Sequence, residues 1–301
     1  MGTNLETDKQ GTELNNGEVN VAPAIRGLGA QMAESGWTGL GGSRQYEGSG
    51  FPGVIDLAVQ EMLQSANMSL SLLPLLTKGV IHALSLYGSD EQKAQFLTKL
   101  TTGKWSGTMN LTEPQAGSDL STIKTKATPH GDHYLISGQK IYITWGEHSE
   151  TENIIHLVLA RLPDAPEGTQ GISMFLVPKY LVNSDGSIGD KNDVKVGGIE
   201  KKLGIHGSPT CTMIYGDNGG AIGYLVGPEN KGLMCMFSMM NNARLSVGHQ
   251  GIALGERAYQ QAVAFAEQRL QGQSKFVKGR SAIIHHPDVK RMLHLMRALT
   301  E

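Results

Sequence analysis

Only two cysteines occur in the 301 residues, Cys211 and Cys235, and neither has a His or Cys neighbour at metal-ligand spacing. A disulfide framework and a zinc site are therefore disfavoured, no metal ligands are nominated, and two buried thiols in a reducing compartment are expected. Charge of one sign is missing too: Lys plus Arg number 26 against 28 Asp plus Glu, net −2, which leaves no basic stripe for nucleic acid or an anionic membrane. No run of apolar residues reads as the ~20 needed for a membrane span. Met1 to Gln10 lacks an apolar signal core, and Glu6 stands where myristoylation needs Ser or Thr. A cytoplasmic location of bacterial type, or another reducing intracellular compartment, is the expectation. Nucleotide fingerprints are also wanting: there is no Walker loop and no G-x-S-x-G, and Gly27-Leu28-Gly29 follows no strand pattern and lacks a third glycine. What is present is a globular composition, 39% hydrophobic and 18% charged, long enough for two or three domains. The 39 glycines have no fixed period, which removes a solenoid or collagen and leaves turns and close packing.

Residues 1–23 are polar and unpatterned and read as a frayed leader. Residues 24–103 read as a helical domain. A short helix is expected from Ala24 to Met32, and after a glycine-rich connection Val54, Leu57, Ala58 and Met62, then Leu72, Leu76, Val80 and Leu84, recur at helical spacing. Pro74 is expected in a first turn, and Ser89 with Gln92 forms a capping box. From 104 to 227 the period changes to two, giving strands joined by short turns such as His130-Gly131-Asp132, hence an antiparallel β domain. Residues 228–301 return to helix, the start of a C-terminal bundle. Its Gly248, Gly251 and Gly255 share a face suited to close approach of another helix, and its last residues put Val289, Met292, Leu293 and Met296 on one face.

One stretch is too particular for an ordinary turn. Met109 to Asp119 reads MNLTEPQAGSD, a short apolar run broken by Thr112, Glu113 and Pro114, after which Gly117 and Ser118 can form an anion-binding nest. A second strand end, Gln139 to Thr144, also finishes on a threonine, and two such ends can wall a planar ring. Ser121-Thr122-Ile123-Lys124 matches S-x-x-K at the start of a strand rather than a helix, so a nucleophile is disfavoured. His285-His286-Pro287-Asp288 reads better as a helix cap than as a metal site.

TEPQAGSD, then ISGQKIYIT, EKKLGIHGSPT, and ARL with a second arginine twenty-five residues on, come in an order and spacing that resembles the acyl-CoA dehydrogenase family of flavoproteins over about residues 24–301. Within it, the runs from Gly146 to Ser173 and Gly216 to Gly227 are most similar to the subgroup that includes 3-methylmercaptopropionyl-CoA dehydrogenases. The resemblance implies an α+β multidomain fold with a helical N-terminal domain, an antiparallel β middle domain and a C-terminal helical bundle, with FAD between the last two. It implies that Met109, Leu111 and Thr112 line the flavin and that Ser118 reaches phosphate or the CoA arm. Tyr142 then covers a ring face, with Ile143 and Thr144 beside it, Thr144 donating near N5. Asn241 and Arg244 are implied to contact acyl-CoA, and Arg269 to reach FAD phosphates across a dimer contact.

The reaction so implied is α,β-dehydrogenation of an acyl-CoA to a trans-2-enoyl-CoA, with electron-transfer flavoprotein as acceptor and a homodimer or homotetramer as the assembly. It needs a carboxylate base. Family members hold that Glu late in the bundle or, in an isovaleryl-type group, immediately before the first arginine, which here is Ala243. No catalytic residue is therefore nominated, and the base is expected beyond Glu301, the chain reading as C-terminally truncated. Arg269-Leu270-Gln271-Gly272 also departs from the family's pattern of an aromatic residue before the glycine. The alternative is a non-catalytic flavin or acyl-CoA binding module on the same fold.

Overall fold

The computed structural model describes residues 2–301, so Met1, the first residue of the expected leader, lies outside them. Helix α1 (Gly2–Gln10) and a hairpin of β1 (Glu13–Asn15) and β2 (Glu18–Asn20) occupy the stretch expected to be frayed, which corrects that expectation. Val19 of β2 is buried in a hydrophobic core, but the anchors of α1 are polar. The Asn4 side chain accepts the Met68 N–H at 3.1 Å, the buried Thr7 hydroxyl accepts from the Asn67 amide at 2.9 Å, and Asp8 accepts the His206 N–H at 2.8 Å. Hydrophobic periodicity cannot register a segment held in this way.

Helix α2 (Leu28–Glu34) leads through the glycine-rich connection to α3 (Gly53–Ala66), α4 (Met68–Tyr87) and α5 (Asp90–Thr101). The capping box forms as expected, the Gln92 N–H donating to Ser89 Oγ and the Ser89 N–H to the Gln92 side chain. Pro74 does not open a helix: α4 begins at Met68, so the proline sits inside it and cannot donate to the Leu70 carbonyl. By length and composition α4, 20 residues with mean hydropathy 1.4, could cross a membrane, which the run-length reading missed because Ser, Thr, Lys and His interrupt it. Most of it is buried within the protein.

Ten strands follow: β3 (Trp105–Asn110), β4 (Lys126–His130), β5 (His133–Thr144), β6 (Asn153–Arg161), β7 (Ile172–Pro178), β8 (Tyr180–Val182), β9 (Ile188–Lys191), β10 (Val194–Ile199), β11 (Thr210–Tyr215) and β12 (Ala221–Leu225). The main sheet has the order β10-β11-β5-β12-β7-β6-β3, with β4 beside β5 and β6, while β8 and β9 pair apart from it. Most pairs are antiparallel, but β3 runs parallel to β6 in register from Trp105↔Asn153 to Asn110↔Val158, a departure from the all-antiparallel expectation. The two partners are separated by the β4–β5 hairpin, which supplies the crossover without an intervening helix.

The chain closes with α6 (Gly232–Gln268), a hairpin of β13 (Leu270–Gln273) and β14 (Arg280–Ala282), and α7 (Pro287–Thr300). At 37 residues α6 is one helix of roughly 55 Å. Of Gly248, Gly251 and Gly255 only Gly255 meets another helix, a Cβ there lying 3.0 Å from Thr300 Oγ1; Gly248 and Gly251 face open space, so the shared-face expectation holds at one position in three. On α7, Val289, Leu293 and Met296 are half-buried and Met292 is exposed.

Two cores flank the sheet. Strands β6 and β7 are buried on both faces, so they read as continuous apolar runs. Ile155, Leu157 and Leu159 face a core built from α4, α5 and the first third of α6, while Val158 and Ala160 face a second core with Ile143, Val196 and Met213.

Candidate functional site

Strand β3 ends at Asn110, and the chain turns back on itself where Glu113 and Ala116 exchange N–H and carbonyl groups at 2.8 and 3.0 Å. The turn is held from inside by the Glu113 carboxylate, 3% exposed. Oε1 accepts from the Thr125 N–H at 3.1 Å, the Thr125 hydroxyl at 2.6 Å and the Lys140 ammonium at 2.8 Å; Oε2 accepts the Lys124 N–H at 2.6 Å and the Gln115 amide at 2.7 Å. Lys140, fully buried, also donates to the Leu111 carbonyl at 3.0 Å. Burial by itself raises the pKa of Glu113, but the Lys140 charge and the surrounding donors outweigh it and hold the carboxyl at about 2. Burial pushes Lys140 down to about 8 against the pull of the same carboxylate. The two shifts act in opposite senses on stability, so the intact pair is worth little net at neutral pH although either half is costly to orphan.

Lys140 faces inward in the regular alternation of β5, and a bulge just after it lets Ile143 face inward as well. Against β11, Lys140 pairs with Met213 and Ile143 with Cys211, so three steps on β5 match two on β11. Before the bulge Ile136 and Lys140 point inward; after it Ile143 and Trp145 do. The extra residue brings Tyr142 to φ +60°, the left-handed region, and leaves it 58% exposed. The second strand end is tied to the first where the Ile141 N–H donates to the Thr112 carbonyl at 2.9 Å.

Buried polar side chains run along β3 behind the strand end. The Tyr215 hydroxyl donates to Asn110 Oδ1 at 2.8 Å, the Asn110 amide donates to Thr108 Oγ1 at 2.8 Å, and Thr108 Oγ1 lies 2.7 Å from His156 Nδ1. Nearby His148 Nδ1 accepts the Glu150 N–H at 3.1 Å, so its Nε2 proton faces Ser106 Oγ at 3.0 Å. Burial, and then the Lys179 charge, push both imidazoles down to about 3, so both are neutral. Neither is poised to accept a proton near neutral pH.

Two family models match the chain in tandem: "Acyl-CoA dehydrogenase, N-terminal domain" over residues 13–104 and "Acyl-CoA dehydrogenase, middle domain" over 108–218, the second containing both strand ends. The chain belongs to the acyl-CoA dehydrogenase family. It is 52% identical over 297 residues to 3-methylmercaptopropionyl-CoA dehydrogenase of Ruegeria pomeroyi, covering 98% of this chain and 50% of that protein. It is 40% identical over 279 residues to a butyryl-CoA dehydrogenase of Syntrophomonas wolfei, covering 90% and 46%. The chain thus spans about half the length of these curated relatives. Among solved structures, butyryl-CoA dehydrogenase from Megasphaera elsdenii superposes with a TM-score of 0.75 at 25% identity, over 91% of this chain and 67% of that one. An acyl-CoA dehydrogenase complexed with FAD from Bacillus anthracis superposes with 0.75 at 27% identity, over 91% and 42%.

On this acyl-CoA dehydrogenase fold, Met109, Leu111 and Thr112 are half-buried along one strand end, and Tyr142 and the half-buried Thr144 lie along the other. Ile143 sits between these last two, but its side chain is 2% exposed in the second core, so only its backbone can serve a ligand. Ser118 is exposed on the loop beyond the turn. Met109 and Leu111 pack on the same core as Met236, Met239 and Met240 of α6, whose next turn carries the exposed Asn241 and Arg244. Arg244 donates to Asn241 Oδ1 at 3.1 Å and stacks its guanidinium 5.5 Å over Phe237. Arg269 does not join them: it is exposed at the far end of α6, about 37 Å along the axis from Arg244, and touches Gln271 at 3.4 Å. Lys140 is not among the residues expected from the sequence, because its polar neighbours Ser137 and Gln139 give no local pattern that marks it as inward-facing.

Proposed function

We propose that this chain forms the flavin-binding half of an acyl-CoA dehydrogenase site. The observation that carries the reading is the pair of strand ends at Leu111–Thr112 and Tyr142–Thr144, cross-tied by the Thr112 carbonyl and by Lys140. The Thr112 N–H and hydroxyl find no partner among the described residues, which suits the acceptor edge of a flavin ring. FAD, when bound, supplies the two-electron acceptor for dehydrogenation of an acyl-CoA thioester to a trans-2-enoyl-CoA. The protein's part is to line the ring with Met109, Leu111 and Thr112, to cover it with Tyr142, and to offer Thr144 as a further donor. Ser118, Asn241 and Arg244 meet the CoA arm. Arg269, too distant to serve its own site, serves a second copy, in keeping with a dimer or tetramer; electron-transfer flavoprotein is the proposed acceptor.

Proton abstraction is not assigned to any residue of this chain. Ala243 before Arg244 carries only a methyl group. Glu113, the carboxylate nearest the strand ends, has a pKa of about 2 and five donors on its oxygens, the opposite of what a general base needs. Titration of the purified 301-residue chain with FAD should give binding, and addition of an acyl-CoA should leave the flavin absorbance unbleached. Absence of FAD binding sinks the reading, and acyl-CoA-dependent bleaching sinks the assignment of the base elsewhere.

A further inference from the structure

The peptide joining Leu111 to Thr112 is held from one side only. Lys140 Nζ takes the Leu111 carbonyl at 3.0 Å from beneath, while the same ammonium is fixed by Glu113 at 2.8 Å. No cis peptide is present among the described residues, and in a planar trans peptide the carbonyl of one residue and the N–H of the next point in opposite directions. Drawing the Leu111 carbonyl down onto the buried ammonium therefore turns the Thr112 N–H up, away from the protein interior. The next peptide is fixed as well, because the Thr112 carbonyl accepts the Ile141 N–H at 2.9 Å. Thr112 is thus pinned on both sides while its own N–H and hydroxyl, without a partner among the described residues, are left for a ligand.

We propose that Lys140, seated by Glu113, is a positioning residue that aims the Thr112 N–H away from the protein interior and so sets how tightly the chain holds the polar edge of its flavin. The inference rests on the functional reading above. A hydrophobic residue would fill the same volume without the cost of burying a charge, and the pair contributes little net stability when intact. What a methyl or methylene cannot do is grip a carbonyl. The bulge at Tyr142 belongs to the same device, since without the extra residue Lys140 and Ile143 could not both face inward. Glu113 has a matching part: its second oxygen binds the Lys124 N–H at 2.6 Å, so the ammonium is located against the loop that returns to β4 as well as against the turn.

The test compares FAD affinity by calorimetric titration, and the bound flavin's visible spectrum, between the unmodified chain and the E113Q/K140M variant, which is nearly isosteric and leaves no buried charge. The expected result is a folded protein with FAD affinity weakened at least tenfold and a displaced long-wavelength flavin band, because the donor edge is no longer aimed. A purely structural role would change only the unfolding midpoint. A folded double variant with unchanged affinity and spectrum overturns the inference while leaving the functional reading intact; failure of the unmodified chain to bind FAD removes that reading itself. Should the double variant not fold, Thr125→Val, which trims one hydroxyl bond to Glu113, is read the same way. About a threefold weakening with a displaced band supports the proposal, and native affinity and spectrum refute it.

Discussion

Lowering the pH from 7 to 5 should cost this protein about 4 kcal/mol of stability, and the source should be two histidines rather than its carboxylates. His148 and His156 are 1% and 0% exposed, and both are pushed from the ordinary 6.5 down to about 3, first by burial and then by the Lys179 charge. In the unfolded chain each takes up a proton as pH falls through 6.5; in the folded chain neither does until about 3. Protons therefore bind preferentially to the unfolded state across that window, and stability falls as pH falls. Between pH 7 and 5 each group contributes about 2 kcal/mol, which is large against the roughly 5–15 kcal/mol of a typical domain. Glu113 acts later, since its window runs from 4.5 down to about 2. Urea unfolding followed by tryptophan fluorescence at half-unit pH steps should show a midpoint that declines steadily below 6.5, approaching about 3 kcal/mol per pH unit near pH 5. His156→Gln should roughly halve that slope, whatever it does to stability at pH 7. A flat midpoint between pH 7 and 5, or an undiminished slope in the variant, would refute the assignment of these imidazoles as buried neutral groups.

Three other outcomes follow from the packing. Lys140→Met alone strands the Glu113 carboxylate and should cost about 3–5 kcal/mol in urea unfolding, whereas E113Q/K140M should cost much less than the sum of its single changes. Gly107→Ala places a Cβ 2.5 Å from Val80 Cγ2 and should lose about 1–3 kcal/mol; Val80→Ala in the same chain should restore part of that, as thermal unfolding can measure. Tyr142→Gly should leave the unfolding free energy within about 1 kcal/mol, because relief of the left-handed backbone offsets the added freedom of the unfolded chain, yet weaken FAD binding in titration.

Much of the architecture could be read from the sequence because it is written in apolar spacing. The stripes of α4 and α5, the doubly buried β6 and β7 and the long α6 all leave periodic traces, and the Ser89–Gln92 box marks a helix start by its own chemistry. Met109 to Thr112 and Tyr142 to Thr144 stood out through their breakers and paired threonines. What escaped was held by polar contacts between residues far apart in the chain. Asn4, Thr7 and Asp8 fasten α1 through partners at Met68, Asn67 and His206. Lys140 meets Glu113 from 27 residues away, and no local pattern announces a lysine that will end up fully buried. The parallel pairing of β3 with β6 was hidden for a related reason: a hairpin, not a helix, makes the crossover.

The bulge in β5 makes that strand a change of phase rather than a uniform ladder. Up to Lys140 the even positions are the protein's interior; from Ile143 the odd ones are. Sequence exchanged into this strand from any other source must therefore keep its count across residues 140–143, even where its residue types vary. Losing one residue there would carry the lysine to the solvent face or turn Ile143 and Trp145 outward, and one deletion would disturb the second core and the proposed flavin-binding edge together.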